Sequence, residues 1–274
     1  MSKPITDIDI ATLDRVATRT WPGTEEEPMG DWLFRAAGGF TGRANSALTA
    51  GDPGMPLPDA AARIRRWYAA RGLTPMASVS YPAGQPERNP VDRFFAGQGW
   101  TLRDEATVIV MTQHPAAVTT TPPARSAVLP VQFASVPGHD WLALYHFRGQ
   151  PDLPPIARTI LTSAPWQAFA SARDGDRTVA IGRVAGAKAG AGVNEEHWAG
   201  LTAIEVDPDY RRRGLAAALT TALIAHAAER GAARVFLQVE DTNQAALALY
   251  RKLGFTGHHG YHYRVAPPED RPRA

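Results

Sequence analysis

The stretch Val206-Asp207-Pro208-Asp209-Tyr210-Arg211-Arg212-Arg213-Gly214-Leu215-Ala216 decides how the chain is read. It joins a strand end to the first turn of a long helix through a proline-marked turn, three arginines and a glycine. The first backbone N–H groups of a helix have no intrahelical partner and sit at the positive end of its dipole. Gly214 and the small Ala216 let an anionic group approach that backbone closely, and Arg211, Arg212 and Arg213 add bidentate side-chain donors. Three cations at the helix end where cations are disfavoured point to a bound anion such as a phosphate. The competing reading is a charge run that stays in solvent.

Working outward, residues 213–230 form an uninterrupted helix in which Leu215, Leu219, Leu223 and Ala227 recur every four positions, and Gly231 stops it. Residues 198–206 precede it as a strand. Residues 235–239 follow as a short β-branched strand, 243–253 as a second amphipathic helix ended by Gly254, and 261–265 as a closing strand. Further upstream, 141–147 and 156–161 read as helices, 166–172 and 178–184 as strands, and the Gly/Ala run 185–193 as a flexible loop. This alternation needs a partly parallel, mixed sheet with helices packed on it, an α/β (α+β) fold.

The first half repeats the closing part of this order. A helix at 59–71 ends at Gly72 before a strand at 76–81. A helix at 91–98, then Gly99 and Trp100, precede a strand at 106–111. Phe95 stands where Tyr250 stands. The expectation is an internal duplication, with a first domain over 1–113, a Pro/Thr/Ala-rich linker over 114–130, a second domain over 131–266 and a loose tail over 267–274. The first half lacks the arginine-glycine cradle: counting back from Gly72 puts Met55 and Pro56 near its helix start, and proline has no N–H to offer. The Trp67-Tyr68 pair reads as core.

Of the 274 residues, 44% are hydrophobic and 20% charged, which is enough apolar material for a real core. The 29 Lys and Arg against 27 Asp and Glu leave a net +2, too little for the broad basic surface that non-specific nucleic-acid binding needs. There is no cysteine, so a thiolate nucleophile, a cysteine zinc site and a disulfide are all excluded. The N-terminal residues lack an apolar signal core and no run approaches the ~20 apolar residues of a spanning helix, so the expectation is a cytoplasmic protein with no membrane partner.

Residues 204–216 resemble the acyl-CoA signature of the GCN5-related N-acetyltransferases: Arg or Gln, two residues, Gly, one residue, Gly or Ala. Arg211, Gly214 and Ala216 fill it here, preceded by Ile204, Val206 and Pro208. Asn243 and the run Ala248-Leu249-Tyr250-Arg251-Lys252-Leu253-Gly254-Phe255 match a second family helix, so the resemblance covers about 131–265. In detail the arrangement resembles two-domain acetyltransferases of mycothiol-synthase type, and also an actinobacterial two-domain group in which a segment like Gly38 to Ser46 opens the first half.

The resemblance implies a central sheet whose two parallel strands splay apart, in two GNAT-like domains of which the first is degenerate. Acetyl-CoA would be the acyl donor, with no metal. Its pantetheine arm would lie along the strand edge at Ile204 and Val206. Its pyrophosphate would sit on Arg211, Arg212, Arg213, Gly214, Leu215 and Ala216. Asn243 would bind the arm or an ordered water, or simply cap its helix. Tyr250 would be the general acid, against the alternative of a core tyrosine beneath Phe255.

Where many members carry a glutamate on the strand after the long helix, this chain has Gln238, which cannot take a proton. Glu205 is the first choice of general base, with Glu240 and His197 in reserve and a water chain as the alternative. Arg43 and Asn45 are candidates for the acceptor pocket that would equally serve a hairpin. His258, His259 and His262 do not make a metal site, because Gly257 and Gly260 mark a loop there, and His226 reads as a helix-surface residue. The implied function is direct acetyl transfer from acetyl-CoA to a primary amine of a small molecule. Acetylation of protein lysines or N-termini and a non-catalytic CoA-binding sensor are the alternatives. The acceptor, the acyl length and the oligomeric state, a homodimer included, stay open.

Overall fold

The computed structural model describes residues 8–103, 107–114, 129–145, 153–189 and 196–268. The first half contributes α1 (Ile10–Thr20), β1 (Glu25–Met29), β2 (Trp32–Ala36), β3 (Ala47–Leu48), α2 (Leu57–Ala69), β4 (Met76–Pro82), α3 (Pro90–Gly97), β5 (Thr101–Leu102) and β6 (Val108–Gln113). The second contributes β7 (Val131–Ala134), α4 (His139–Leu144), α5 (Ile156–Leu161), β8 (Trp166–Asp174), β9 (Arg177–Ala189), β10 (Glu196–Val206), α6 (Leu215–Glu229), β11 (Arg234–Glu240), α7 (Gln244–Lys252) and β12 (Thr256–Val265).

All strands join one 12-stranded mixed sheet in the order β1-β2-β3-β4-β12-β6-β11-β10-β9-β8-β7, with β5 on β12. The order runs alike from both sides towards its centre. β3 pairs parallel with β4, and β10 pairs parallel with β11, while the flanking pairs are antiparallel. The last strand of each half is exchanged: β12 pairs with β4, β6 pairs with β11, and β6 and β12 pair with each other. Most of 114–130 and all but two residues of 267–274 lie outside the described residues. Sheet hydrogen bonds connect the segments on either side of 114–130.

One face of the sheet is covered by α6 and α7, whose Leu219, Leu223 and Leu247 pack on Val235, Leu237 and Phe255, and by α2 and α3, whose Ile64, Tyr68 and Phe95 pack on Phe34 and Val79. On the other face, Leu13 and Val16 of α1 pack on Val110, Phe236, Tyr261 and Tyr263. Trp141 of α4 and Ile160 of α5 pack on Phe169 and Ile181. Trp67 and Tyr68 are core residues with rings 4.8 Å apart, edge to face.

Two segments differ from their sequence reading for the same steric reason. Residues 185–189, expected as loop, continue β9, all of them paired with β10 and 185–186 with β8 as well. Gly186 is needed there because a Cβ would lie 2.1 Å from the Trp166 ring. The rest of that expected loop, 190–193, lies outside the described residues. Gly257 and Gly260 are likewise inside β12, and a Cβ on Gly260 would come within 2.6 Å of the Tyr81 ring. Gly186 and Gly260 are small because an aromatic ring crosses them, not because the chain turns.

The halves are also clamped through side chains. Asp92 of α3 accepts from Arg264 Nε at 2.7 Å and Nη2 at 2.8 Å, and His262 Nε2 lies 2.5 Å from its Oδ1. Burial opposes ionisation of Asp92, but the hydrogen bonds from Arg264 and His262 outweigh it and hold the carboxyl well below its usual range. A group depressed in this way stabilises the fold above its unfolded value of about 3.9 and loses that contribution as pH falls through the folded value. Asp92→Ala should therefore lower stability at pH 7 by about 3–5 kcal/mol in urea denaturation. The gap to the parent should narrow as the pH is taken from 5 towards 2.

Candidate active site

β10 and β11 run as a parallel pair only from Trp198↔Arg234 to Leu201↔Leu237. Beyond that point β10 carries a bulge: its register on β9 shifts between Thr202 and Glu205, and Ala203 takes a positive φ of 53°. Past the bulge Glu205 and Val206 still pair with Ile181 and Ala180 of β9, and Gln238 to Glu240 of β11 still pair with β6. The two facing edges, 202–206 and 238–240, thus have no strand-to-strand ladder between them among the described residues. Such edges present backbone donors and acceptors to an extended ligand that takes the place of a strand.

At the end of β10 the chain makes a 3₁₀ turn over Pro208–Tyr210, which Asp207 caps by accepting from Asp209 N at 3.0 Å. Arg177 pins the turn, donating to Asp207 at 2.7 Å and Asp209 at 3.1 Å. Arg212 and Gly214 have positive φ of 65° and 83°. Gly214 is the N-cap of α6 and, lacking a side chain, leaves the N–H groups of Leu215, Ala216 and Ala217 without a side-chain cap; no acid occupies that first turn. A 15-residue helix so begun has a concentrated positive end.

The three arginines are exposed but not equivalent. Arg211 Nε donates to Val206 O at 3.2 Å, and Arg213 Nη2 donates to Asp209 O at 2.8 Å with its guanidinium 4.6 Å from the Tyr210 ring centre. Both brace the loop. Leu215 is core, while Ile204 and Val206 are half-buried against the same cluster.

Tyr250 of α7 is 9% exposed, its ring 5.8 Å from that of Phe255, edge to face. Burial pushes its phenol up to about 12, so it holds its proton throughout the neutral range. Asn243 is the N-cap of α7, Oδ1 accepting from Ala246 N at 3.1 Å.

On the α1 face, at the mouth of the splay, lies a cavity of about 350 Å³. Glu205, Gln238 and Glu240 reach it from the strand ends, Tyr261 from β12, Tyr145 from the residue after α4, and Arg43 from the first half. Asn45, two residues on, is buried and holds the loop instead: it accepts from Ala37 N and Gly39 N, both at 2.8 Å, and donates to Phe40 O and Thr41 O. The Arg43 guanidinium lies 4.4 Å from the Trp21 ring centre and donates to Gln238 Oε1 at 3.2 Å. The same oxygen accepts from the Tyr261 hydroxyl at 3.1 Å.

Burial pushes Tyr145 up to about 12; the Glu205 charge raises it further, and Arg43 and Arg183 pull it back. Arg183 is fully buried, donating to Leu161 O at 2.8 Å and Thr20 O at 3.1 Å, and burial together with Arg43 pushes it down to about 9. Tyr145, Tyr261 and Arg183 carry no motif, and only the fold brings them here.

His197 is at the other end of β10 from Glu205, roughly 25 Å away along the strand, opposite Lys188 and exposed. It is no candidate for a base at this cavity. His259 Nε2 is 3.1 Å from Asp14 Oδ1, His258 Nε2 is 2.8 Å from Ile8 O, and His262 belongs to the Asp92 clamp. His226 is not a plain surface residue: its ring stacks on Phe133 at 4.2 Å.

Residues 7–264 match the family model described as "Probable histone acetyltransferase Rv0428c C-terminal". The Mycobacterium tuberculosis (strain ATCC 25618 / H37Rv) protein "Probable histone acetyltransferase Rv0428c" is 32% identical over 273 residues, 97% of this chain and 76% of that relative. The chain belongs to that family, within the GCN5-related N-acetyltransferases. This N-acetyltransferase is also 26% identical over 260 residues to "Uncharacterized N-acetyltransferase YobR" of Bacillus subtilis (strain 168), covering 94% of this chain and 98% of that one. Its fold is shared by a GCN5-related N-acetyltransferase from Kribbella flavida, with a TM-score of 0.65 at 16% identity over 95% and 97% of the two chains. Among the described residues no helix of this acetyltransferase is long and apolar enough to cross a membrane.

Gly214→Glu would put a β-carbon at a left-handed position and a negative charge at the uncapped helix start. The variant should keep the parent's far-ultraviolet circular dichroism and lack the rise in melting temperature expected of the parent with CoA. A retained rise would place the anion site elsewhere.

Proposed function

We propose that the protein transfers the acetyl group of acetyl-CoA directly to a primary amine of a small molecule. The observation that carries this reading is the placement of an uncapped helix N-terminus, two splayed strand edges and a cavity holding Glu205 and Glu240 around the one point where β10 and β11 part. The donor supplies an activated thioester. The Leu215, Ala216 and Ala217 N–H groups suit its pyrophosphate, with Arg211, Arg212 and Arg213 around them. The edges at Ile204 and Val206, and the amide nitrogen of Asn243 outside its cap, suit the pantetheine arm. A backbone N–H near Val206 would steady charge developing on the thioester oxygen.

Glu205 takes the proton that the amine nitrogen must lose before it attacks, directly or through water, since an amine of pKa near ~10 is charged at neutral pH. Gln238 cannot do this, and Glu240 faces the same cavity as the second carboxylate. Tyr250 gives a proton from its phenol to the departing sulfur. The ammonium nitrogen gives up two protons, one before attack and one as the tetrahedral intermediate collapses; one of them makes good the proton that Tyr250 gives to the departing thiolate, and the other passes to solvent by way of Glu205. With no cysteine in the chain, no acyl-cysteine step intervenes.

The name of the mycobacterial relative raises a protein lysine as the rival acceptor. A cavity of about 350 Å³, walled on one side by the Arg43 loop, favours a small one. The test is thiol release from acetyl-CoA with a panel of small amines beside a lysine-rich histone-tail peptide. Release with small amines supports the reading, and release with the peptide alone overturns the acceptor class. A CoA-induced melting shift with no release on any amine means a CoA sensor. In an active pair, Tyr250→Phe should lower kcat about 100-fold or more with little change in KM; an unchanged kcat removes Tyr250 from the reaction.

A further inference from the structure

We infer that the acceptor is a primary amine that also carries an anionic group, a carboxylate or a phosphate, and that Arg43 holds this group. The inference rests on the acetyl-transfer reading above and concerns the far end of the acceptor. The cavity contains both signs of charge: Glu205 and Glu240 on the strand ends, Arg43 on the loop from the first half. For an acceptor with an ammonium group alone, a guanidinium in so small a space is a liability, because it repels the group the carboxylates attract. For an acceptor with a charge of each sign the arrangement is complementary along its length.

The environment of Arg43 keeps its charge available. Its recorded contacts are neutral, the Trp21 ring at 4.4 Å and Gln238 Oε1 at 3.2 Å, and among the described residues it makes no ion pair. Only Nη1 is used in that bond, so the rest of the planar fork, which suits a carboxylate or phosphate face, remains. Gln238 is itself fixed by the Tyr261 hydroxyl. As an amide it orients the guanidinium without cancelling it, which a glutamate at 238 would do.

A second cation strengthens the field. Arg183 is fully buried, 5.1 Å from the same Trp21 ring, and it donates to the Leu161 and Thr20 carbonyls and the Thr202 hydroxyl, all neutral. Two guanidiniums thus share one indole, neither of them paired with a carboxylate among the described residues, and Tyr145 in the cavity wall feels both. An anion beside Arg43 would offset that positive charge.

The test uses the full chain, acetyl-CoA and matched acceptors: an α-amino acid against its methyl ester, and an aminoalkyl phosphate against the corresponding amino alcohol. The anionic member of at least one pair should have the higher kcat/KM by about 10- to 100-fold, the worth of a charge-assisted contact. The preferred pair tells carboxylate from phosphate. Arg43→Met should bring the anionic-to-neutral ratio close to one through KM, and Arg43→Lys should recover part of it. Gln238→Glu, which keeps the arginine but gives it a counter-ion, should lower the same ratio. Equal turnover of both members of each pair, or a ratio that Arg43→Met leaves unchanged, overturns the inference while acetyl transfer stands. No thiol release with any amine overturns both.

Discussion

The ladder between β6 and β12 is the contact on which the rest of the molecule depends. Each strand closes the half to which the other belongs, so neither half-sheet is complete without a segment from the far side of the chain. Backbone groups at the centre of a sheet must be paired, and here that requirement joins the halves more tightly than side-chain packing alone would. It also lays the cavity floor. Glu240 of β11, Val108 of β6 and Tyr261 of β12 stand in one cross-strand row, with Gln238, Val110 and His259 in the next. The floor is therefore composite by construction.

The two halves differ where their helices begin. α6 starts at a bare glycine with no acid in its first turn, whereas α2 has Pro56 at its N-cap, a second proline in its first two positions and Asp59 in its first turn. A proline lacks the N–H that an anion needs, and an aspartate occupies the dipole's positive end itself. What the first half contributes to the site is a wall: Arg43, held by a loop that Asn45 fixes from inside.

The legible part of the sequence was the part whose meaning is local. Eleven consecutive residues from Val206 to Ala216 carry the cradle, and a four-residue period carries α6, so both could be read without knowing what lies opposite. The strand exchange was not legible, since a short apolar strand such as β6 carries nothing that selects β11 and β12 as its neighbours. Gly186 and Gly260 read as loop because composition cannot show that Trp166 and Tyr81 lie across them. Arg43 and Asn45 were equally plausible in either role, and only burial separates the wall residue from the loop brace. α1 was not legible because its buried side mixes Asp14, Thr18 and Thr20 with Leu13 and Val16, so its burial does not follow the apolar residues alone.

Those polar residues on α1 explain why the cavity keeps its shape. Thr18 Oγ1 accepts from Arg35 of β2 at 2.9 Å, Thr20 O accepts from Arg183 of β9 at 3.1 Å, and Asp14 meets His259 of β12 at 3.1 Å. A helix with an apolar underside could slide over a sheet at little cost, since dispersion contacts are interchangeable. Buried guanidiniums do not permit that, because each needs its acceptors at fixed positions and an unmatched one is expensive. By tying a strand from the first half and two from the second to separate positions along one helix, α1 fixes the register of the half-sheets. With them it fixes the placement of Trp21 just past its C-terminus, the ring on which Arg43 rests.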